Sequence, residues 1–123
     1  RIEKKTVLVL LCKDRVYLHK RDEQGLLAGL YEFMMLDEQK SRKEITQEFQ
    51  DQLLRLVPLR KAKHIFSHVQ WDMVGYRVKI AWENEKEPGK LLENTHFFMV
   101  DRAALKEEYS VPSAFGAYVR LLG

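Results

Sequence analysis

The chain has 123 residues, of which 46% are hydrophobic, and it carries a formal net charge of +3 and one cysteine. A chain of this length forms one domain and buries roughly two-thirds of its unfolded surface. The lone Cys12 excludes an internal disulfide, a cysteine-rich zinc site and a four-thiolate iron-sulfur cluster, and it suits a core side chain in a reducing cytoplasm. Because no apolar run reaches the ~20 residues of a membrane span, we expect no membrane partner.

The beginning of the chain predicts three strands. Residues 6–12 form a continuous apolar run, which is typical of a strand buried on both faces, and residues 16–21 follow as its hairpin partner. Residues 30–36 alternate so that the aromatic side chains share one face and Glu32 lies on the other, so we expect a third strand. One face of that strand carries Tyr31, Phe33 and Met35.

The clearest predicted helix follows this strand. Ser41 and Glu44 have the spacing of a capping box, in which each residue binds the backbone of the other. The next apolar residues recur at helical intervals, and Pro58 forbids continuation. We therefore expect one helix whose apolar stripe is Ile45, Phe49, Leu53 and Leu56.

The second half predicts three more strands and a final helix. Residues 60–66 read as an exposed edge strand, and residues 74–82 as a half-buried strand with a basic outer face. Residues 95–100 form a further strand, a short helical turn follows Asp101, and a last helix begins at Ser113. The predicted fold class is α+β, with a mixed β-sheet and helices packed on it as an α/β/α sandwich.

The connection between the two central strands does not have the composition of an easy turn. Tight hairpin loops favour Gly, Asn or Asp, and none of these lies between Ile65 and Gln70. The loop instead contains Phe66, Ser67 and His68, and exposed side chains of this kind in a loop favour a binding role. The alternative from spacing alone is structural: Phe66 in the core, Ser67 as a turn cap and His68 on the surface.

The polar residues do not predict a metal site. His64 and His68 have the spacing of two ligands on one helical face, but they lie in a strand and a loop and have no third ligand nearby. Glu48 and Asp51 are single carboxylates among glutamines, whereas Mg²⁺ prefers several oxygen ligands. We read them as a solvated helix face.

Three segments carry a resemblance to a known family. They are GLLAGLYEF at residues 25–33, HIFSH followed by Trp-Asp at residues 64–72, and YSVPSAF at residues 109–115. The chain resembles, over nearly its whole length, the C-terminal domain of MutY-type adenine DNA glycosylases. The resemblance implies a Nudix-like fold that recognises 8-oxoguanine opposite adenine in double-stranded DNA, as part of base excision repair in the bacterial cytoplasm at the nucleoid.

The resemblance also assigns roles. Lesion recognition falls to Phe66, Ser67 and His68 with support from His64, and the expected contacts to the DNA backbone are Arg60, Lys61, Lys63, Arg77 and Lys79. Adenine excision belongs to a separate N-terminal catalytic domain, which in the family holds an iron-sulfur cluster. We expect this chain to be a fragment of that longer protein, a monomer that contacts the catalytic domain, with no cofactor, no metal and no catalytic residues of its own.

Two other functions remain open. The Nudix-like fold also suits a nucleotide pyrophosphohydrolase, although the helix lacks the glutamates of that signature and Gln cannot supply their charge. A protein-interaction module that only borrows the fold is the other alternative.

Overall fold

The computed structural model describes residues 1–21, 29–81 and 97–105. These residues form a mixed β-sheet with one α-helix packed on it, which confirms the predicted α+β class. Two short 3₁₀ turns, Gln50–Gln52 and Arg102–Ala104, follow the helix and the last strand. The elements in chain order are β1 (Ile2–Cys12), β2 (Arg15–Lys20), β3 (Tyr31–Glu32), β4 (Met34–Leu36), α1 (Arg42–Phe49), β5 (Leu53–Ile65), β6 (Gln70–Ile80) and β7 (Phe97–Asp101).

The sheet is organised around β1 and its parallel neighbour β6. The strand order is β3-β2-β1-β6-β5, while β4 pairs with β1 and β7 pairs with β2. Every pairing except that of β1 with β6 is antiparallel. No side chain from Val7 to Cys12 is more than 5% exposed. The prediction of a strand buried on both faces is therefore confirmed.

The core has two layers, one on each face of the sheet. We call the side covered by α1 the helix face; its core includes Leu8, Leu10, Ile45, Phe49, Leu56, Val78 and Ile80. We call the opposite side the tryptophan face; its core includes Val7, Val9, Leu18, Phe33, Trp71 and Met73. Alternate residues of β1 enter the two layers, as the pleat of a strand requires.

The predicted helix begins as expected but is wrong in length. Ser41 and Glu44 form the capping box, yet the helix ends at Phe49, and Gln50 follows with a φ of 38°. The chain then continues as strand β5, with Pro58 inside it. Among the described strands β5 pairs only with β6, so it is an edge, where a proline costs no ladder hydrogen bond.

Irregular pairing in β5 explains the misleading helical spacing. The register with β6 shifts between Leu53 and Arg55 and again between Leu59 and Ala62. The first β-bulge adds one residue to β5 between Leu53 and Leu56. Both leucines therefore enter the helix-face core although they are three residues apart. A bulged strand thus produces the interval that a helix would produce.

The third predicted strand is split in two at Phe33. Strand β3 pairs with β2 and β4 pairs with β1, so this segment fills the gap where β1 and β2 diverge. Glu32 is only 8% exposed and is held by His19 at 3.1 Å and by Arg21 at 2.6 Å.

Several predicted features lie outside the described residues. They are the GLLA segment, Trp82, the start of the strand predicted from Thr95, and the last helix. Within the described parts of the chain, α1 is far too short and polar to span a bilayer, and no other helix qualifies.

Candidate nucleic-acid interface

Strands β5 and β6 are joined by a tight turn, Phe66–Val69, at one end of the sheet. The turn is closed by a hydrogen bond that the Phe66 N–H donates to the Val69 carbonyl at 2.7 Å. None of its residues has a positive φ, so the turn needs no Gly or Asn. Ser67 and His68 are exposed at its tip. The structure therefore places two of the predicted recognition residues where a ligand can reach them.

Phe66 ties this turn to the core. Its half-buried ring packs edge-on against Trp71, with 4.9 Å between ring centroids, and against His64 at 4.7 Å. His64 and Trp71 face each other in the β5–β6 register, and Trp71 is only 2% exposed. The predicted supporting role of His64 therefore corresponds to a direct ring contact with Phe66.

Two cations lie over the same tryptophan. The Lys5 Nζ is 5.7 Å from the Trp71 ring centroid, and the Arg21 Cζ is 5.4 Å from it. Lys5 also forms ion pairs with Asp37 at 2.7 Å and with Glu3 at 3.3 Å. Although desolvation acts to raise the pKa of Glu3, the hydrogen bond from Lys5 and the charges of Lys5 and Arg1 lower that pKa below 4.5. Both cations at the base of the turn are thus engaged by carboxylates of this chain, since Arg21 binds Glu32.

The five basic residues predicted to contact DNA fall into two groups. Arg60 and Lys61 are exposed in the second β-bulge of β5, and the exposed Lys63 lies opposite Asp72 close to the turn. Arg77 and Lys79 lie on the tryptophan face, seven and nine residues along β6 from Gln70, about 23 to 30 Å at the rise of a strand. The structure places Lys63 close to the turn and Arg60 and Lys61 opposite Val74, about 13 Å along β6 from Gln70. Arg77 and Lys79 lie farther from the turn and on the other face.

One basic residue close to the turn, Lys4, is not among the predicted DNA contacts. Because β1 runs parallel to β6, Lys4 lies opposite Asp72, on the side of β6 away from Lys63. Lys4 is far from Lys63 in sequence, and only the parallel pairing of β1 with β6 places them together. A run of two lysines in a strand is no signal of that pairing.

The comparisons with known proteins establish the family. The family model described as "NUDIX domain" matches residues 6–121, so the chain belongs to this family. A comparison with curated proteins gave no match.

Solved structures agree with the family. The chain is similar to the C-terminal domain of mouse MUTYH in complex with human PCNA, with a TM-score of 0.67, 22% identity and coverage of 99% of this chain and 87% of that one. It is also similar to MutT from Methanosarcina mazei Go1, with a TM-score of 0.64, 12% identity and coverage of 98% of this chain and 92% of that one. The MutT NUDIX hydrolase from Burkholderia pseudomallei matches with a TM-score of 0.59, 14% identity and coverage of 99% of this chain and 95% of that one. At these identities the likeness shows the fold alone, and it confirms the Nudix-like prediction.

The helix does not fit the divalent metal that hydrolases of this fold use. The Glu44 carboxylate accepts a hydrogen bond from the Ser41 N–H at 3.0 Å, which lowers its pKa, and it pairs with Lys40 at 3.5 Å. Glu48 is exposed on α1, whereas Asp51 lies on the following 3₁₀ turn. In the described parts of the chain no three His, Cys, Asp or Glu side chains gather as a ligand set. Mg²⁺ needs several oxygen ligands in octahedral geometry, so we derive no reaction step through it.

Proposed function

We propose that this chain recognises 8-oxoguanine paired with adenine in duplex DNA, as the C-terminal domain of an adenine DNA glycosylase in base excision repair. The observation that supports this most is the turn Phe66–Val69, which exposes Ser67 and His68 on a base of packed aromatic rings. The likeness of the fold to the C-terminal domain of mouse MUTYH is consistent with the proposal.

The chemistry of the lesion suits such a turn. Guanine presents N7 as an acceptor, whereas 8-oxoguanine carries a hydrogen on N7 and a carbonyl at C8. A backbone carbonyl can only accept, so it fits the N7–H of the lesion and repels the bare N7 of guanine. The Ser67 hydroxyl can accept or donate, so it discriminates when its own proton is committed elsewhere. A good bidentate match of this kind contributes about 1 to 3 kcal/mol, or roughly tenfold to a hundredfold in preference.

The two aromatic side chains beside Ser67, Phe66 and His68, differ in how tightly they are packed. Phe66 is packed between His64 and Trp71, so it offers a base only the exposed part of a ring that is already in place. His68 is exposed and can stack or insert at a base step. Kinking the duplex at the lesion would help a catalytic domain extract the opposite adenine, which costs a few kcal/mol. Excision itself belongs to that separate domain and its iron-sulfur cluster.

A binding experiment tests the proposal. We would measure by fluorescence anisotropy, at low salt, the affinity of the chain for duplexes with one 8-oxoguanine:adenine or one guanine:adenine pair. We expect the unmodified chain to prefer the lesion at least tenfold, and Ser67→Ala with His68→Ala to abolish most of that preference. Thr46→Ala, which removes an exposed hydroxyl from α1, is the matched control. Equal affinity of the unmodified chain for both duplexes, or full preference in the double variant, would refute the assignment.

A nucleotide hydrolase is the second candidate, because two MutT proteins share the fold. Helix α1 argues against it, since its two glutamates are Glu44, which is held by the Ser41 N–H and Lys40, and Glu48, and no third His, Cys, Asp or Glu of the described residues gathers with them. Sustained release of phosphate or pyrophosphate from nucleoside triphosphates with Mg²⁺ would favour it over DNA recognition.

A further inference from the structure

We propose that the helix face binds the phosphates of the duplex beside the turn, through Lys4, Lys61 and Lys63, and that Arg77 and Lys79 take no part. We call these three residues the lysine surface. The proposal rests on the proposed function, because it assumes that the turn meets DNA.

Strand pairing places two of these lysines symmetrically about β6. Asp72 pairs with Lys63 of β5 on one side and with Lys4 of β1 on the other, so Lys4, Asp72 and Lys63 lie in one row across the sheet. Residues directly opposite each other in neighbouring strands point to the same face. Strands lie ≈ 4.8 Å apart, so the Cα atoms of Lys4 and Lys63 are about 10 Å apart.

The three lysines of the lysine surface form no ion pair with a described carboxylate, although Asp72 lies between two of them in the sheet. Asp72 accepts a hydrogen bond from the Gln70 Nε2 at 2.7 Å and forms no ion pair with either neighbouring lysine. Lys5 and Lys40, by contrast, each bind two carboxylates. Within the described chain, then, the exposed ammonium groups of the lysine surface remain available for an external anion.

The position of the lysine surface suits a duplex that meets the turn. Lys63 precedes Ser67 by four residues, of which the last two lie in the turn, so the two are at most about 13 Å apart, or roughly four base-pair steps of 3.4 Å. The row next to the turn contains Ile2, Gln70 and Ile65, and the two isoleucines are 61% and 73% exposed. Phosphates a few steps from the lesion therefore reach the lysines across this row.

Arg77 and Lys79 do not share this geometry. They lie on the tryptophan face and toward the far end of β6. A duplex against the helix-face end of the sheet cannot reach the opposite face of the same sheet about 23 Å or more away. Their positive charge affects DNA only at long range, where salt screens it.

Charge-matched variants test this surface. We would measure the affinity of the chain for an undamaged duplex at several salt concentrations, comparing Lys4→Gln with Lys63→Gln against Arg77→Gln with Lys79→Gln, and a third variant that adds Lys61→Gln to the first pair. Each double variant loses two positive charges. Each phosphate contact contributes ≈ 0.9 to the slope of log K against log salt, so the first pair should lower that slope by about 1.8 and the affinity about a hundredfold at 50 mM salt.

The outcomes separate this inference from the proposed function. Because phosphate contacts carry no sequence information, the first pair should weaken binding to lesion and undamaged duplexes equally and leave the preference intact. An unchanged slope in the first pair, or an equal loss in the second, overturns the lysine surface while the lesion preference of the unmodified chain stands. Absence of any binding at low salt overturns both the lysine surface and the proposed function. Wherever the chain binds DNA, loss of lesion preference in the turn variants is independent of the salt slopes of the lysine variants. Thermal unfolding of each variant confirms that it folds.

Discussion

Replacing Phe66 with alanine should destabilise the domain as well as weaken recognition. Truncating a fully buried phenylalanine to alanine costs about 3 to 5 kcal/mol. Phe66 is only half-buried, so its truncation should cost less. Its two edge-on ring contacts, to His64 and Trp71, form part of that cost at about 0.5 to 1.5 kcal/mol each. We therefore expect the free energy of unfolding to fall by about 2 kcal/mol.

Urea and thermal unfolding of the chain measure this loss. For a domain of this size a loss of about 2 kcal/mol lowers Tm by about 6 to 10 °C. Ser67→Ala and His68→Ala, at the exposed tip, should each change the free energy of unfolding by less than about 0.5 kcal/mol. Phe66→Tyr keeps the ring and should restore most of the stability.

A different result would refute the anchoring role of Phe66. If Phe66→Ala unfolds with the same free energy as the unmodified chain but loses affinity for DNA, the ring acts only in the complex. Loss of DNA affinity must therefore be measured well below the Tm of each variant, where the folded fraction is complete.

Three further predictions concern the scaffold. Glu32→Ala should cost about 2 kcal/mol, measured by urea unfolding, because it leaves Arg21 and His19 without their shared buried carboxylate; a cost below 0.5 kcal/mol would contradict this. The hydrogen bond from the Ser41 N–H lowers the pKa of Glu44. The stabilising effect of the Glu44 carboxylate is therefore complete above pH 4.5 and is lost as the pH falls through the lowered pKa. The difference in Tm between the unmodified chain and Glu44→Ala should shrink from about pH 7 to about pH 3. Lys13→Gly should raise the free energy of unfolding by about 1 kcal/mol, because Lys13 has a φ of 55° in the β1–β2 turn, and a lower Tm would contradict that reasoning.

The position of the β5–β6 turn could be predicted from the sequence, but the packing of Phe66 in it could not. The two predicted strands on either side indicate a connection between Ile65 and Gln70, and its lack of Gly, Asn and Asp favours a binding role. The structure places a turn there without any positive φ. Ring packing explains why Phe66 is present: it anchors the turn on Trp71, a residue five positions later that forms part of the tryptophan-face core. The role of the turn in recognition stays a prediction.

Features that depend on local chemistry could be predicted from the sequence. The apolar run of β1 specifies a strand buried on both faces, and Ser41 with Glu44 specifies where α1 begins, because both signals act within a few residues. The end of that helix depends on long-range contacts, since the pairing of β5 with β6, with its bulges, outweighs the helical spacing that continues to Leu56. The same long-range pairing determines which basic side chains share a surface. Lys4 and Lys63 lie on either side of β6 because strands distant in sequence pair through backbone hydrogen bonds, and side-chain patterns do not encode that pairing.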